Sequence, residues 1–213
     1  MKKSLKYHFV ALGSFCAFIV WTLLVKFVDV APIGPHGSEI GFSRLNKYVH
    51  ARLGVNMALY NITDWLSIIP LCIVFSFAML GLYELIKRKS LFKVDRSILC
   101  LGGLYFVTLL AFVLFEVLAI NYRPILIDGR LEASYPSSTT FLVLSVIPSA
   151  IFELNHRIKK RTFCHLTTSI GILFSLFMVI ARLVCGVHWF TDIIGGVLIS
   201  FAFFMEYYAL CRK

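Results

Sequence analysis

The sequence predicts an all-α polytopic membrane protein, a bundle of six transmembrane helices with a short amphipathic helix at its outer surface. Three observations predict it. Of 213 residues, 59% are hydrophobic and only 15% are charged, where a soluble domain of ordinary composition carries about a quarter charged residues. Mean hydropathy is +0.85, which leaves too little polar surface to coat a globule in water. The apolar residues also gather into six runs, each close to the roughly 20 residues a helix needs to cross a bilayer. A soluble enzyme, a coiled coil, a collagen-like chain and a disordered chain are excluded together.

In chain order the runs are 7–27, 64–86, 97–121, 139–155, 163–182 and 188–210. The first is too long for a signal peptide and lacks a small-residue cleavage site, so it reads as a span. The fourth is the shortest and contains Pro148, which neighbouring helices tolerate inside a bundle. Between the first two runs, Ala31-Pro32-Ile33-Gly34-Pro35-His36-Gly37 is rich in turn formers. Leu45, Tyr48, Val49 and Leu53 then recur at helical spacing among Arg44, Lys47 and His50, with Gly54 as the stop. This is the expected amphipathic helix at the membrane surface, capping the bundle or gating lipid entry. No linker or repeat divides the chain, so residues 1–213 read as one domain.

Orientation follows from the cations. Lys2, Lys3 and Lys6 precede the first run; Lys87, Arg88, Lys89, Lys93 and Arg96 separate the second from the third. Arg157, Lys159, Lys160 and Arg161 lie between the fourth and fifth, and Arg212 and Lys213 close the chain. Fourteen of the 21 Lys and Arg therefore share one side. Both termini are expected in the cytoplasm, with 28–63, 122–138 and 183–187 facing outward. The net charge of +10 is accounted for by topology and anionic-lipid contacts, without a nucleic-acid partner. Cys16, Cys72, Cys100, Cys164, Cys185 and Cys211 are scattered singly, with no C-x-x-C pair and no metal-ligand spacing. No metal or other cofactor is expected.

Charged groups at membrane depth are costly and so are functional candidates. Here they collect at the outer ends of the third to sixth runs: Arg123, Arg182, His188 and Asp192, beside Pro136-Ser137-Ser138-Thr139-Thr140 at the start of the fourth. His188 and Asp192 are four residues apart, one helix face if the helix includes both. The carboxylate can then accept the proton of one ring nitrogen and leave the other free to attack. Arg123 and Arg182 offer planar forks for phosphate oxygens. Ser137, Ser138 and Thr139 lie at a helix N-terminus, where free N–H groups and the dipole favour an anion. Together these groups describe phosphoryl transfer through a phosphohistidine.

The same residues resemble the type 2 phosphatidic acid phosphatase family, the lipid phosphate phosphatases related to vanadium haloperoxidases, with motifs K-x6-R-P, P-S-G-H and S-R-x5-H-x3-D. The first motif reads here as Glu116, six residues, then Arg123-Pro124; the second as Pro136-Ser137-Ser138-Thr139; the third as Ala181-Arg182, then His188 and Asp192 at the family spacing. The resemblance covers about residues 116–192, and six spans with an outward-facing site is also the family's architecture. It implies that Arg123 and Arg182 bind phosphate, that Ser137 hydrogen-bonds it, that His188 is the nucleophile and Asp192 its partner.

Two positions depart. Glu116 stands where the family has a phosphate-binding Lys, and Thr139 where it has the His that protonates the leaving group. A positioned acid contributes about 10²–10⁴-fold, and threonine cannot be one near neutral pH. Glu116, seven residues before Arg123 on the same helix face, and Glu132 on the outer loop are the substitutes at hand, Glu116 being equally readable as an ion-pair partner of Arg123. A polyprenyl diphosphate, whose leaving group is itself a phosphate, needs less protonation. The expected function is a membrane phosphatase for lipid phosphates or polyprenyl diphosphates at the extracytoplasmic face. The alternatives are a catalytically silent relative that binds a lipid headgroup and a phosphotransferase that passes the phosphoryl group to another acceptor.

Overall fold

In a computed structural model of the protein, residues 2–212 are described; the cation at Lys213 lies outside them. Eight α-helices follow in order: α1 Lys2–Phe27, α2 Ser43–Leu53, α3 Met57–Leu66, α4 Ile68–Arg88, α5 Arg96–Leu118, α6 Ser138–Arg157, α7 Arg161–Val184 and α8 Phe190–Cys211. Among the described residues, six stretches are long and apolar enough to cross a membrane, one of them α3 and α4 together. The protein is a multi-pass helical membrane protein.

Two helices form the centre. In α6 and α8, 56% and 44% of the most apolar window is buried, against 6% for α3–α4 and 11% for α7, so the surrounding helices present their apolar sides outward, to lipid. On α8, small residues let its neighbours close in. A Cβ on Gly195 would stand 2.6 Å from the Tyr135 ring, and one on Gly196 3.1 Å from the Ser137 carbonyl oxygen. The segment leading into α6 therefore rests directly on the first turns of α8. At the far end of α8, Ser4 donates to the Ala209 carbonyl at 3.0 Å and His8 meets Glu206 at 2.9 Å, which puts the two ends of the chain at one end of the bundle.

The second span differs from its expected start at 64. Asn56 caps α3 by accepting the Leu59 N–H at 3.0 Å, so the helical stretch begins at Met57, and it breaks at Ser67 before continuing as α4. The amphipathic helix is present as α2, with Gly54 at its C-cap in a positive-φ conformation. Its docking face is the reverse of the pattern in the sequence. Ser43 and Asn46 are buried, whereas Leu45, Tyr48 and Leu53 are exposed. The sixth span also starts later than 188. Asp192 accepts the Trp189 N–H at 3.0 Å and thereby caps α8, so the helix begins at Phe190 and His188 sits in the turn before it.

Candidate active site

At one end of the bundle the turn 185–189, the segment 119–137 and the short helices α2 and α3 meet over the starts of α6 and α8. A positive-φ glycine makes the meeting possible: a Cβ on Gly186 would lie 1.9 Å from the Gly54 carbonyl oxygen. Asn56 N–H donates to the Cys185 carbonyl at 3.0 Å and His50 Nε2 lies 3.2 Å from that of Gly186. The turn that carries His188 is thus clamped from the α2–α3 side.

His188 is buried, and its two ring nitrogens have different neighbours. Nδ1 is 3.2 Å from the Ser134 carbonyl oxygen. A carbonyl can only accept, so Nδ1 carries the proton and Nε2 carries the lone pair. Nε2 faces the Arg123 guanidinium, whose nearer terminal nitrogen is 3.4 Å away. Burial holds the imidazole's pKa well below its ordinary value, and the positive charges of Arg123 and Arg182 press in the same direction. The ring is neutral at pH 7, with its unprotonated nitrogen aimed at the cationic side of the site, where it accepts a long hydrogen bond from Arg123.

Asp192 does not receive the imidazole proton directly, as the four-residue spacing had led us to expect. Its Oδ2 is 3.9 Å from Nδ1, too far for a hydrogen bond. The cause is its commitment elsewhere: besides the Trp189 N–H it accepts Ser134 Oγ at 2.7 Å and Asn121 Nδ2 at 3.2 Å. Asp192 therefore fixes Ser134, and the Ser134 carbonyl fixes the ring. The Ser137 N–H bonds the Asp192 carbonyl at 3.0 Å, locking the start of α6 to the start of α8. Neither Ser134 nor Asn121 belongs to a motif, and only their places just before Pro136 and just before Arg123 hinted at them.

The two guanidiniums share an aromatic wall. Tyr60 on α3 lies under both, its ring centroid 4.8 Å from Arg182 Cζ and 6.0 Å from Arg123 Cζ. Arg182 donates to the Thr63 hydroxyl at 3.1 Å and approaches Asp64 at 3.7 Å. Arg123 Nε stands 2.9 Å from Glu132 Oε2, a charge contact without hydrogen-bond alignment. Sequence reasoning missed this α3 face. Its signal was the Asn56 cap followed by Tyr60, Thr63 and Asp64 at helical spacing.

Ser137 occupies the N-cap position of α6, yet its hydroxyl makes no capping bond and is buried without a partner, as is Arg182 Nε. These are donors held out of water at a helix N-terminus, the arrangement that binds an oxyanion. Ser138, half-buried, lines a tight cleft together with Arg123, Glu116, Phe112, Phe115 and Phe141. Glu116 is exposed on α5 at the edge of that cleft. The carboxylate paired with Arg123 is that of Glu132, so the alternative that made Glu116 its ion-pair partner is corrected. Thr139 is buried in the first turn of α6. Among the described residues, no three or more His, Cys, Asp or Glu side chains are grouped to hold a metal ion.

The profile of the PAP2 superfamily matches residues 118–213. This part of the chain belongs to the PAP2 superfamily. Its fold is similar to that of a transmembrane PAP2-type phosphatidylglycerolphosphate phosphatase from Bacillus subtilis, with a TM-score of 0.62 over 93% of each chain and 14% sequence identity. No curated protein matches the sequence. The PAP2 match takes in Arg123, Ser137, Ser138, Thr139, Arg182, His188 and Asp192, and leaves Glu116 just outside.

Proposed function

We propose that this PAP2 protein is a membrane phosphatase that hydrolyses lipid phosphates or polyprenyl diphosphates at the extracytoplasmic face through a phosphohistidine on His188. The observation that carries the reading is the asymmetry of that imidazole: Nδ1 donates to the Ser134 carbonyl, and the Nε2 lone pair, turned toward Arg123, accepts only a long 3.4 Å hydrogen bond from its guanidinium, which an incoming phosphate would take over. A phosphoryl group gripped by Arg123, Arg182, the Ser137 hydroxyl and the N-terminal amides of α6 places its phosphorus in front of Nε2. The lone pair forms the N–P bond as the P–O bond to the leaving group breaks. Charge that develops on the equatorial oxygens meets donors already in place, so little reorganisation is required. Water then attacks the phosphohistidine and releases inorganic phosphate. Asp192 acts at one remove, by holding Ser134 where its carbonyl accepts the hydrogen bond from Nδ1–H.

Two facts support lipid as the source of the phosphate. The site lies at the end of a bundle whose outer helices are apolar toward their surroundings, and the structural neighbour acts on phosphatidylglycerolphosphate. The test uses purified protein with phosphatidate, phosphatidylglycerol phosphate and a polyprenyl diphosphate. The wild type should release phosphate from at least one of them, and a brief reaction with ³²P-labelled substrate should leave label on the protein that is lost in acid and kept in base. His188→Ala should do neither. Turnover retained by His188→Ala refutes the mechanism. A wild type that binds these lipids without turnover establishes the silent relative instead.

A further inference from the structure

We infer that Glu132 performs the proton transfers for which the family uses a histidine at the position of Thr139, donating to the leaving group and then accepting from water. The inference rests on the phosphatase reading and adds to it a residue for which the PAP2 motifs have no place.

The geometry of Arg123 carries the argument. One edge of its guanidinium stands 2.9 Å from Glu132 Oε2, and a terminal nitrogen stands 3.4 Å from His188 Nε2. Carboxylate and nucleophile are therefore separated by no more than one guanidinium and its two contacts. In-line displacement requires the nucleophile on one side of phosphorus and the leaving oxygen, with its proton donor, on the other. A phosphoryl group whose equatorial oxygens take the Arg123 donors would have both His188 Nε2 and the Glu132 carboxyl beside it, one for each side of phosphorus. The backbone keeps Glu132 there, since the Arg123 N–H donates to the Glu132 carbonyl at 3.0 Å and Tyr122 bridges Ala133.

Other ionisable groups fit less well. Asp64 touches Arg182 at 3.7 Å and is 60% exposed, and Glu116, although it lines the cleft with Arg123, is not the carboxylate paired with either arginine. Asp192 is held by three donors. Tyr60 has its ring face, not its edge, turned to Arg182. The Glu132 side chain is 37% exposed, so it can swing and exchange a proton with water.

At rest the carboxylate neutralises Arg123. A phosphate that takes over the guanidinium frees Glu132 and places a dianion beside it, and a like charge so close favours the protonated carboxyl. Arrival of the substrate thus creates the acid. His188 Nε2 then forms a bond to phosphorus, the P–O bond to the lipid alcohol breaks, and the departing oxygen takes the carboxyl proton of Glu132. In the second half, water attacks phosphorus and gives its proton to the Glu132 carboxylate. The N–P electron pair returns to Nε2, and the starting protonation state is restored.

Leaving-group dependence tests this. Glu132→Gln keeps size and a contact to Arg123 but cannot release a proton, and Glu132→Asp keeps the carboxyl. For phosphatidate, whose alcohol leaves poorly, Glu132→Gln should lower kcat/KM by about 10²–10⁴-fold and remove the basic limb of its pH profile. For p-nitrophenyl phosphate, whose leaving group needs no proton, kcat/KM should fall less than about tenfold, with phosphohistidine accumulating because water attack has lost its base. Glu132→Asp should recover part of the phosphatidate loss. Equal losses on both esters, or no loss on either, overturn the role of Glu132 and leave the phosphatase reading intact. A wild type that turns over only a polyprenyl diphosphate overturns the role of Glu132 alone, and one that turns over neither ester nor a diphosphate overturns both.

Discussion

At the scale of single residues, the state of one imidazole sets the pH range in which this site can work. In the proposed mechanism His188 must be neutral to attack, and burial, with Arg123 and Arg182 behind it, lowers its pKa well below 6.5 in the folded protein. Protonation is therefore deferred: as pH falls, the neutral nucleophile persists past 6.5 and is lost only further down. The acid limb of kcat/KM, measured between pH 4.5 and 8, should lie below pH 6.5. A limb at or above 6.5 shows a solvated imidazole and contradicts the burial. The linkage to stability has the same sign, because the unfolded chain binds this proton more readily than the folded one and His188 costs stability as pH falls below 6.5. The sequence spacing picked out His188, Asp192, Arg123 and Arg182 because motif intervals survive folding. It misassigned the contact between His188 and Asp192, because a carboxylate three residues after Trp189 is also a helix cap, and capping removed His188 from the helix. Ser134, whose backbone carbonyl accepts the Nδ1–H hydrogen bond, leaves no trace in side-chain chemistry that a sequence can show.

At the scale of elements, α2 shows how the membrane changes the meaning of a pattern. The apolar positions Leu45, Tyr48 and Leu53 marked a helix, and the helix is there, but they face outward while Asn46 faces in. In water an apolar stripe marks the buried face; beside lipid, the polar stripe is the one that must be satisfied by the protein. Asn46 is fully buried, donating to the Gly41 carbonyl at 2.8 Å and to Thr191 Oγ1 at 2.9 Å, and accepting the Thr191 N–H at 3.3 Å. That N–H is one of the first in α8, with no partner inside its own helix. Asn46 thus caps α8 from another element, three residues from His188. Asn46→Ala leaves these groups buried and unpaired, which costs ~1–3 kcal/mol. Thermal unfolding in detergent should record the loss, and turnover should fall with it, since the cap holds the turn carrying His188. An unchanged melting temperature shows that α2 merely lies on the surface. The extension of the second span to Met57 was legible from Asn56, and the break at Ser67 from Pro70, which has no N–H for the Leu66 carbonyl four residues back and sits instead in the first turn of α4.

At the scale of the whole molecule, the two ends of the bundle treat their cations in opposite ways. Away from the site, Arg157 is held by Glu153 at 2.6 Å, Asp95 at 3.0 Å and Glu84 at 3.4 Å, with Glu153 also taking Ser97 at 2.9 Å and Tyr207 at 3.1 Å. Asp95 is 38% exposed, but Glu84 and Glu153 are 7% and 0% exposed, so these two buried partners hold Arg157 and the cluster ties α4, α5, α6 and α8 together. At the site the carboxylates on Arg123 and Arg182 are 37% and 60% exposed, so an incoming anion can replace them. One end is therefore a brace and the other a receptor. Which compartment the receptor faces follows from the loops. The segments 89–95 and 158–160 and the chain ends lie at the braced end, and that end carries most of the Lys and Arg outside the helices' apolar windows. Moving such clusters across a bilayer is unfavourable, so the braced end should stay in the cytoplasm. A green fluorescent protein fused after Lys213 should fluoresce, and an alkaline phosphatase fused at the same place should be inactive, because the first matures in the cytoplasm and the second only outside it. In a reporter inserted between Gly37 and Ser38, at the site end, the two results should exchange. The opposite pattern at both positions turns the receptor toward the cytosol, and the substrate would then have to be drawn from the inner leaflet.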